Sequence, residues 1–465
     1  MRHRTQGSPR IALGCALMAP VMVLTACGDS SHPLASEPYD AAKRVSLGGA
    51  GKVHSGSTPL DPADPLVVTA DSDDDQITDV VVVDDAGRRL AGELSADGSR
   101  WRSTGALAAG AKYSVKVSTE KSGRPGRASM TFDTRAPGGK ARKLGLKLGP
   151  DAGTYGVGQP VTAELSRAVS ERTERRVVES ALEVDSSPKV EGSWHWVDDK
   201  KLHYRPKAYW PTNARISVRS TLSGLRIRNG LYGGANKALK LRTGDRVEAV
   251  ADAAKLRMTV KKNGEVLRSI PITTGKAGFR TRNGTKVVLE REPFVRMQST
   301  SIGIGEGSAD FYDLPVHWAT RITWSGEYVH GAPWSSGSHG AANVSHGCTG
   351  MSTENAKWFY DTVRAGDLVT HTNTEGEDMT VFDNGFGEWN LNWEQWQKGS
   401  ALHDGPTPEQ DRGERERGGG EGEDPEAGTK DAKHAGSTEK NGSDLGVERD
   451  LGTASADSAR LRPGL

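Results

Sequence analysis

Hydrophobic and polar residues alternate through two long stretches of the chain, and this pattern predicts two small antiparallel β-sandwiches. In residues 65–135, runs such as PLVVTA, ITDVVVVD and KYSVKVSTE are separated by Gly, Asp and Ser at roughly ten-residue spacing. Residues 144–243 repeat the pattern with runs such as QPVTAELS, ALEVDSS and ARISVRSTL. Alternation with a period of two buries one face of each strand, and frequent turn signals are typical of sandwiches.

The second stretch contains the motif SWHWVDDKKLHY, in which Trp194 and Trp196 lie on the same face of a predicted strand. Aromatic pairs of this kind usually fill the core of a small sandwich, and we expect that role here. A surface that stacks on glycans is the alternative. The two histidines of the motif, His195 and His203, are predicted to be solvated.

From residue 246 the pattern predicts a different region, mainly β with one clear helix. The run LRMTVKKNGEVLRSIPITTG predicts a hairpin that turns at Asn263-Gly264, and Asn283-Gly284 repeats the turn signal. Further along the chain, Ser352 can cap a helix. Apolar residues then follow at helical spacing until a glycine ends the segment: Ala356, Phe359, Tyr360, Val363 and Gly366.

The end of the chain divides into a tryptophan-rich segment and an acidic tail. Trp389, Trp393 and Trp396 suit one helical face that packs back on the body, and a substrate platform is the alternative. Residues 401–465 contain no Phe, Trp or Tyr, and their 15 acidic and 9 basic residues give a net charge of −6. Such a composition predicts a disordered tail.

The first residues have the features of a bacterial export signal. Arg2, Arg4 and Arg10 flank or precede the apolar run IALGCALMAPVMVL, which is too short to span a bilayer comfortably. The following LTACG resembles a lipobox, in which Cys27 is acylated and becomes the new N-terminus. We therefore expect an extracytoplasmic protein that is lipid-anchored at Cys27 to the outer face of the cell membrane and reaches into the cell wall. Simple cleavage beside an incidental cysteine is the alternative.

Net charge and cysteine count narrow the range of possible functions. A net charge of +1 over 465 residues gives no basic signature for nucleic acid. Of the three cysteines, Cys15 leaves with the predicted signal peptide and Cys27 is predicted to carry lipid, so Cys348 has no partner for an internal disulfide. An exported, unpaired thiol is open to oxidation, which favours a reactive role over a buried structural one.

Residue types suited to metal binding or nucleophilic catalysis cluster around this cysteine. Three histidines and the cysteine lie within nineteen residues: His330, His339, His346 and Cys348. Zinc binding and catalysis by a thiolate with a histidine base both use such a set. The spacing does not decide between them, although the chain has no HExxH or CxxC pair. A nearby helix N-terminus and imidazolium would lower the pKa of a thiol.

The longer segment HGAPWSSGSHGAANVSHGCTGMSTENAKWFYD resembles the L,D-transpeptidase family with its YkuD-like catalytic domain. That family has a histidine, about fifteen residues and then Ser/Thr-His-Gly-Cys, and here fourteen residues separate His330 from Ser345-His346-Gly347-Cys348. The HxAPW opening and the tryptophan-rich end are similar to actinobacterial members with two immunoglobulin-like domains. The resemblance covers about residues 50–400.

The resemblance implies a mainly β protein with two immunoglobulin-like β-sandwiches, followed by a β-rich YkuD-like catalytic domain with one clear helix and a small C-terminal subdomain. We divide the chain into a lipoprotein signal peptide 1–26, a flexible tether 27–60, immunoglobulin-like domains 61–138 and 139–245, a catalytic domain 246–374, a tryptophan-rich subdomain 375–400 and a disordered acidic tail 401–465. The tether prediction depends on a composition rich in Ser, Gly, Pro and Ala without periodicity.

The resemblance also assigns roles to individual residues. Cys348 would be the nucleophile, and His330 the general base that later protonates the departing amine, oriented by the carbonyl of Gly331. The backbone amides of Gly347 and Cys348, together with Tyr312, would stabilise the oxyanion. The remaining residues would shape the site or contact the substrate: Ser345, His346, Ser325 and Gly326.

One position departs from the family. Gly350 stands two residues after the cysteine, where relatives usually have Asn or Arg. A side-chain contact with substrate is lost there, whereas the nucleophile and the base are unchanged. We therefore expect altered specificity and rate, and not a different reaction.

The implied reaction joins two peptidoglycan stem peptides. Cys348 attacks the carbonyl of the third residue of a donor tetrapeptide, D-Ala leaves, and the side-chain amine of an acceptor stem resolves the thioester into a 3→3 cross-link. No metal and no cofactor is required, and carbapenems are expected inhibitors. The alternatives are an L,D-carboxypeptidase with the same nucleophile and a wall-binding lipoprotein whose catalytic site has decayed.

Overall fold

The computed structural model describes residues 37–49, 52–53, 58–72 and 74–403. The predicted signal peptide with Cys27, and all of the predicted tail beyond residue 403, lie outside these residues. The described part consists mainly of short strands. No helix within it is long and apolar enough to cross a membrane.

Two sheets form the first sandwich. In spatial order, the strands of one sheet are Tyr39–Asp40, Arg124–Asp133, Lys112–Lys121 and Gln76–Asp84. Those of the other are Lys52–Val53, Val45–Gly48, Val67–Ala70, Arg100–Ser103 and Gly92–Leu94. Apolar side chains from both sheets share one core, which includes Leu47, Val68, Val115 and Phe132.

This sandwich begins earlier than the sequence predicted. Residues 39–53 fall within the predicted tether, yet they contain three of its strands. Val45 and Leu47 are buried in the core. The tether prediction is therefore wrong here, because a four-residue strand inside a composition rich in Ser and Gly leaves no periodic signal.

The second sandwich has two four-stranded sheets and a small third sheet. The strands of the larger sheets are Leu146–Gly149, Val161–Leu165, Lys201–Pro206 and Gly192–Trp196, and then Gly153–Tyr155, Ala238–Thr243, Arg215–Ser220 and Leu182–Ser187. The small sheet contains Arg142–Leu144, Leu231–Gly233 and Arg226–Arg228. Trp194 and Trp196 are buried in the core, which confirms the core-filling interpretation.

A helix that the sequence analysis missed, Arg172–Ser180, belongs to the second sandwich. Its sequence RTERRVVES has only two apolar residues, and they are adjacent, so it lacks a helical stripe. Its buried Glu179 accepts hydrogen bonds from Trp196 Nε1 at 3.0 Å and from the backbone N–H of Ala401 at 2.7 Å. Ala401 is buried too, so the folded part extends into the residues predicted to start the tail.

The tryptophan-rich segment packs back on the second sandwich, as predicted. Its 3₁₀ helix Glu388–Asn390 and α-helix Trp393–Gln397 place three indoles around the buried Arg205. The guanidinium carbon lies 4.8, 5.6 and 4.8 Å from the ring centres of Trp389, Trp393 and Trp396. A desolvated cation over aromatic faces is a favourable contact, so Arg205 joins the two segments.

The two histidines that were predicted to be solvated contact this segment instead. His203 Nδ1 lies 2.6 Å from the buried carboxylate of Glu388, and His195 Nδ1 lies 2.8 Å from the carbonyl oxygen of Trp396. Both predictions are wrong because a segment almost two hundred residues later in the chain covers this face of the strand.

The region from residue 246 contains two further sheets. The strands of one are Glu265–Pro271, Arg257–Lys262, Val247–Asp252, Leu368–Thr372 and Gly284–Val287, and those of the other are Glu290–Gln298, Asp313–Arg321, Tyr328–Gly331 and Thr349–Met351. The predicted helix spans Thr353–Thr362, and the Ser352 hydroxyl accepts a hydrogen bond from the backbone N–H of Asn355. Two 3₁₀ helices, Ser299–Ile302 and Pro333–Ser338, lie in the connections.

One of the two Asn-Gly predictions holds and the other is wrong. Asn263 and Gly264 turn between paired strands with positive φ of 52° and 90°. Asn283 does not turn a hairpin, because the strand that follows pairs with Leu368–Thr372. Its side chain instead accepts a hydrogen bond from the Thr374 backbone and donates one to the Gly376 carbonyl.

The second sandwich and the region from residue 246 share a hydrophobic core. Val287 and Leu368 belong to the same buried cluster as Val157 and Trp210 of the sandwich. At the contact, a Cβ on Gly156 would lie 2.2 Å from the backbone nitrogen of Asp367, so only glycine fits. The two parts therefore support each other directly, without a flexible linker between them.

Candidate active site

A pair of parallel strands determines where Cys348 lies. Thr349–Met351 begins directly after it and pairs with Tyr328–Gly331, with His330 opposite Gly350. Successive side chains of a strand point to opposite faces, so residues 348 and 350 share a face with residue 330. The structure thereby brings together the predicted nucleophile and the predicted base, and both line one cavity.

His330 is held in one tautomer and one orientation. Its Nδ1 lies 2.8 Å from the carbonyl oxygen of Gly331. A carbonyl can only accept, so Nδ1 carries the proton and Nε2 has a free lone pair. Trp334 stacks on the imidazole with ring centres 5.9 Å apart. Gly331 thus has the orienting contact that the resemblance predicted.

In the free protein, both groups of this pair are neutral near pH 7. Burial raises the pKa of the Cys348 thiol to about 12, and the nearby Glu327 carboxylate raises the pKa further, against a backbone hydrogen bond and Lys286. Burial lowers the pKa of His330 to about 4, against the hydrogen bond to Gly331. The Cys348 thiol donates to the carbonyl of Gly326 at 3.5 Å. The sequence-based expectation of a lowered thiol pKa is therefore wrong for this state.

Two cavities meet at the sulfur. The first, about 290 Å³, contains His330 and is lined by apolar side chains of the hairpin that ends with Asp313–Arg321 and by Trp334. The second, about 600 Å³, contains Ser325, Gly326 and several charged residues. Both cavities share three residues: Tyr312, His346 and Cys348. Cys348, a partly exposed residue, therefore borders a cavity on each of two sides.

His346, which is predicted to shape the site, lines both cavities and is held by its neighbours. Its ring lies between Phe279 and Tyr312, with ring centres 4.7 and 5.1 Å away. Its Nε2 lies 3.2 Å from a carboxylate oxygen of Asp310. The ring is thus fixed by contacts on three sides.

The turn before the cysteine is tied to itself and to a neighbouring loop. The Ser345 hydroxyl donates to the Cys348 carbonyl at 2.5 Å and accepts from the Gly347 N–H at 3.2 Å. Thr281 Oγ1 donates to the Gly347 carbonyl at 2.8 Å, and Gly347 has a φ of 122° that favours glycine. Because the Gly347 N–H already has an acceptor here, its predicted role in the oxyanion hole would need this bond to break.

The loop that holds Ser325 and Gly326 is fixed by a residue that the sequence analysis missed. The side-chain oxygen of Asn384 accepts a hydrogen bond from the Ser325 N–H at 2.7 Å. Asn384 belongs to the predicted C-terminal subdomain, and only Asn384-Gly385 as a turn signal marks it in the sequence. This subdomain therefore helps to position the acceptor of the Cys348 thiol proton.

The zinc alternative is not supported by the geometry. Among residues 37–49, 52–53, 58–72 and 74–403, no three His, Cys, Asp or Glu side chains come together as metal ligands. The three histidines near Cys348 each face a different partner: Gly331, Ser335 and Asp310.

Comparison with known proteins shows matches to two domain families. Residues 57–226 match the bacterial Ig domain family, and residues 246–370 match the L,D-transpeptidase catalytic domain family. Over 398 residues the chain is 33% identical to L,D-transpeptidase 2 of Mycobacterium tuberculosis, covering 84% of this chain and 96% of that relative. The chain belongs to the L,D-transpeptidase family. This result confirms the family predicted from the sequence, and with it an L,D-transpeptidase with an Ig-like domain ahead of its catalytic domain.

Other relatives and solved structures show the same likeness. L,D-transpeptidase 5 of Mycobacterium tuberculosis is 30% identical, with 84% of each chain covered. A solved L,D-transpeptidase from Mycobacterium smegmatis is 37% identical, covers 50% of this chain and 98% of its own, and has a TM-score of 0.41. A solved L,D-transpeptidase in complex with imipenem is 35% identical, covers 50% and 99%, and has a TM-score of 0.43.

In this transpeptidase, the position that departs from the family is already filled by its neighbours. A Cβ on Gly350 would lie 2.9 Å from Thr273 Cγ2 and 3.0 Å from Ala332 Cβ, and the His339 ring lies just beyond. No Cβ fits at these distances without a shift of the surrounding chain. The glycine is therefore a requirement of the packing around the site, which is a reason for it other than decay.

Several residues of the site carried no signal in the sequence. The apolar wall of the first cavity comes from Met297, Leu314 and Val316, which lie on the two strands of the hairpin. Their spacing is that of any strand, so only the folding of the hairpin over Cys348 shows their role. Trp334 was visible within the HxAPW motif.

The thiol of the free transpeptidase should react slowly at neutral pH and faster as pH rises. With a pKa near 12 in the folded state, the thiolate fraction grows about tenfold per pH unit between pH 6 and 9. Iodoacetamide alkylation at Cys348, followed by peptide mass analysis, should show this slope. A rate that is constant from pH 6 upward would mean that a thiolate–imidazolium pair exists in the free protein, contrary to this expectation.

Adding a methyl group at Gly350 should destabilise the transpeptidase. Gly350→Ala places its Cβ against Thr273 Cγ2, and overpacking of this kind costs roughly 1–3 kcal/mol in unfolding free energy. Thr273→Ser removes that methyl while keeping the hydroxyl bonds to Ala342 and Val344. Denaturant unfolding should therefore show part of the loss recovered in the double variant. Additive losses in the two single variants would contradict the packing explanation.

Proposed function

We propose that this L,D-transpeptidase forms 3→3 peptidoglycan cross-links through a thioester on Cys348. The observation that supports this most directly is that Cys348, a partly exposed residue, lines two cavities. A transpeptidase must present a donor carbonyl to the sulfur and then an acceptor amine to the carbonyl carbon of the resulting thioester. Access from two sides allows the second stem peptide to approach while the first remains attached.

The chemistry follows from the fixed tautomer of His330. Nε2 takes the thiol proton as Cys348 Sγ forms a bond to the donor carbonyl carbon, and the carbonyl oxygen becomes an oxyanion. The amide bond to D-Ala then breaks, and the nitrogen of D-Ala receives the proton from Nε2. The acceptor amine attacks the thioester in turn, gives up a proton to Nε2, and the thiolate leaves and is reprotonated.

Donors for the oxyanion come from two predicted residues. The Tyr312 hydroxyl lies in a side chain that lines both cavities. The pKa of this phenol is raised by burial and then by Cys348, so Tyr312 is a neutral donor near pH 7. Together with the Cys348 amide it would stabilise the developing charge.

Carbapenems are proposed as inhibitors on the same chemical ground. Their strained lactam carbonyl can acylate the thiol, and the product is a thioester to the opened ring. The apolar wall of the first cavity, with Trp334, gives a surface for the bicyclic body of such a compound.

Lipid attachment at Cys27 is proposed for the location of the enzyme. The lipobox-like LTACG follows an apolar segment and precedes the folded part by about ten residues. The first sandwich and the shared core of the remainder would then hold the active site away from the membrane and within the wall. Acyl chains contribute roughly 0.8 kcal/mol of membrane affinity per buried CH₂ group.

Mass analysis of the reaction product tests the enzymatic proposal. Incubation of the full chain with a disaccharide-tetrapeptide should give a dimer whose mass is two monomers less one D-Ala. Cys348→Ala should abolish the dimer, because no nucleophile remains. His330→Gln should slow its formation by about 10²- to 10⁴-fold through loss of general base catalysis.

The other outcomes of this assay each identify an alternative. Release of D-Ala as a tripeptide product, without dimer, would indicate an L,D-carboxypeptidase. Dimer formation that survives Cys348→Ala would remove the cysteine from the mechanism. Absence of any turnover or carbapenem adduct would favour a wall-binding protein.

In cells, the protein should remain attached to the membrane through the lipid on Cys27. Metabolic labelling with a fatty acid should mark the wild-type chain, and Cys27→Ala should lose the label and release protein into the medium. Retention of the label in Cys27→Ala would contradict the proposed attachment site.

A further inference from the structure

A buried ionic cluster lies beside the nucleophile and has no role in the mechanism above. Lys286 is fully buried, and its ammonium contacts Glu327 Oε2 at 2.6 Å and donates to the Arg282 carbonyl at 2.7 Å. Arg282 Nη1 lies 3.0 Å from the other oxygen of Glu327. His371 completes the group, with its Nδ1 3.4 Å from the ammonium. We call these four residues the Lys286 cluster.

The cluster contacts the chain on both sides of Cys348. His371 Nε2 lies 2.7 Å from the hydroxyl of Thr349, the next residue. Glu327 follows Gly326, whose carbonyl accepts the thiol proton. The charges are therefore attached to the two segments that hold the sulfur in place.

Stability alone does not explain this cluster. Removing an ammonium and a carboxylate from water costs as much as their attraction returns, and apolar side chains of similar size serve a core equally well. The pKa of His371 is far below its ordinary value because of burial and then the Lys286 charge, so His371 is neutral. Burial lowers the pKa of Lys286, whereas Glu327 raises that pKa through its charge and its hydrogen bond. With Lys286 protonated by this pairing, the cluster contains one carboxylate and two cations.

Titratable or charged residues outside the cluster also line the two cavities: His330, Tyr312, His346, Arg280, Glu375 and Glu377. His330 and Tyr312 are neutral near pH 7. Arg280 pairs with Glu375, His346 faces Asp310, and Glu377 is exposed. Among the residues that the structure describes near Cys348, Lys286 is the one fully buried cation.

We propose that Lys286, held in place by Glu327, is a positioning residue whose fixed charge stabilises the thiolate that Cys348 forms when its proton moves to His330. This inference rests on the proposed role of Cys348 as nucleophile. The cation is in place before the reaction and needs no reorganisation when negative charge forms on the sulfur. In the free protein it lowers the thiol pKa, but by less than burial and Glu327 raise that pKa. Lys286 does not contact substrate and undergoes no chemical change.

Two single variants should change the alkylation rate of the Cys348 thiol in opposite directions. Lys286→Met removes a positive charge, and Glu327→Gln removes a negative one. Glu327 raises the pKa of the Cys348 thiol and Lys286 lowers that pKa, with the larger effect from Glu327. A change of about one pKa unit is roughly a tenfold change in thiolate fraction. In the full chain at pH 7, alkylation of Cys348 by iodoacetamide should therefore become several-fold slower in Lys286→Met and about tenfold faster in Glu327→Gln.

Rate changes of opposite sign in the two variants distinguish an electrostatic role of Lys286 from a structural one. Damage to packing would change both variants in the same direction, so a fall in both rates would overturn the proposal, as would an unchanged rate in Lys286→Met. Arg88→Met, which removes a partly buried cation from an ion pair in the first sandwich, should leave the rate unchanged. A changed rate in Arg88→Met would likewise count against a specific effect of Lys286.

The proposal can still be tested if one of the variants does not fold. Thermal unfolding checks that each variant is folded, and if Lys286→Met is not, Lys286→Gln is measured in its place and should show the same fall in rate. The double variant Lys286→Met/Glu327→Gln keeps the net charge and should react at close to the wild-type rate. Alkylation does not require turnover, so a wild-type chain that fails the cross-linking assay would refute the proposed function while leaving this measurement interpretable.

Discussion

The pairing of two short parallel strands is the constraint on which the candidate site depends. It sets His330 opposite Gly350, and the alternation of side chains then puts Cys348 and the imidazole on one face. A shift of one residue in this register would turn the sulfur to the opposite face. The helix Thr353–Thr362 and its cap at Ser352 follow at once and hold the end of the second strand. Three consecutive elements thus fix a geometry that no single contact could.

The electrostatics around Cys348 and His330 explain why the thiol is unreactive before substrate binds. Burial opposes charge on both Cys348 and His330, so the resting pair is a neutral thiol and a neutral imidazole. A thiol that stays protonated is protected from oxidation, because the thiolate is the reactive form. The buried ammonium of Lys286, whose charge we propose to stabilise the thiolate, lies in the neighbouring cluster.

The modules around the catalytic region are part of the enzyme's structure. The second sandwich shares its core with Val287 and Leu368, and the C-terminal segment reaches from Arg205 back to the loop of Ser325 through Asn384. Removing either part would expose apolar surface that now stabilises the catalytic sheets. The first sandwich has a core of its own, and Leu225 of the second sandwich packs against both cores.

The sequence by itself determined the β-rich class, the helix after the cysteine, the turn at Asn263-Gly264 and the family with its candidate nucleophile and base, because each depends on local periodicity or on a short motif. It failed for the strands in residues 39–53 and for the helix Arg172–Ser180, whose patterns are too short or too polar to stand out. The environment of His203, the filled space beside Gly350, the second cavity and the Lys286 cluster were decided only by the tertiary structure. These features depend on which distant residues come to share a volume, and charge burial, pKa and steric room follow from that neighbourhood and not from the residue type.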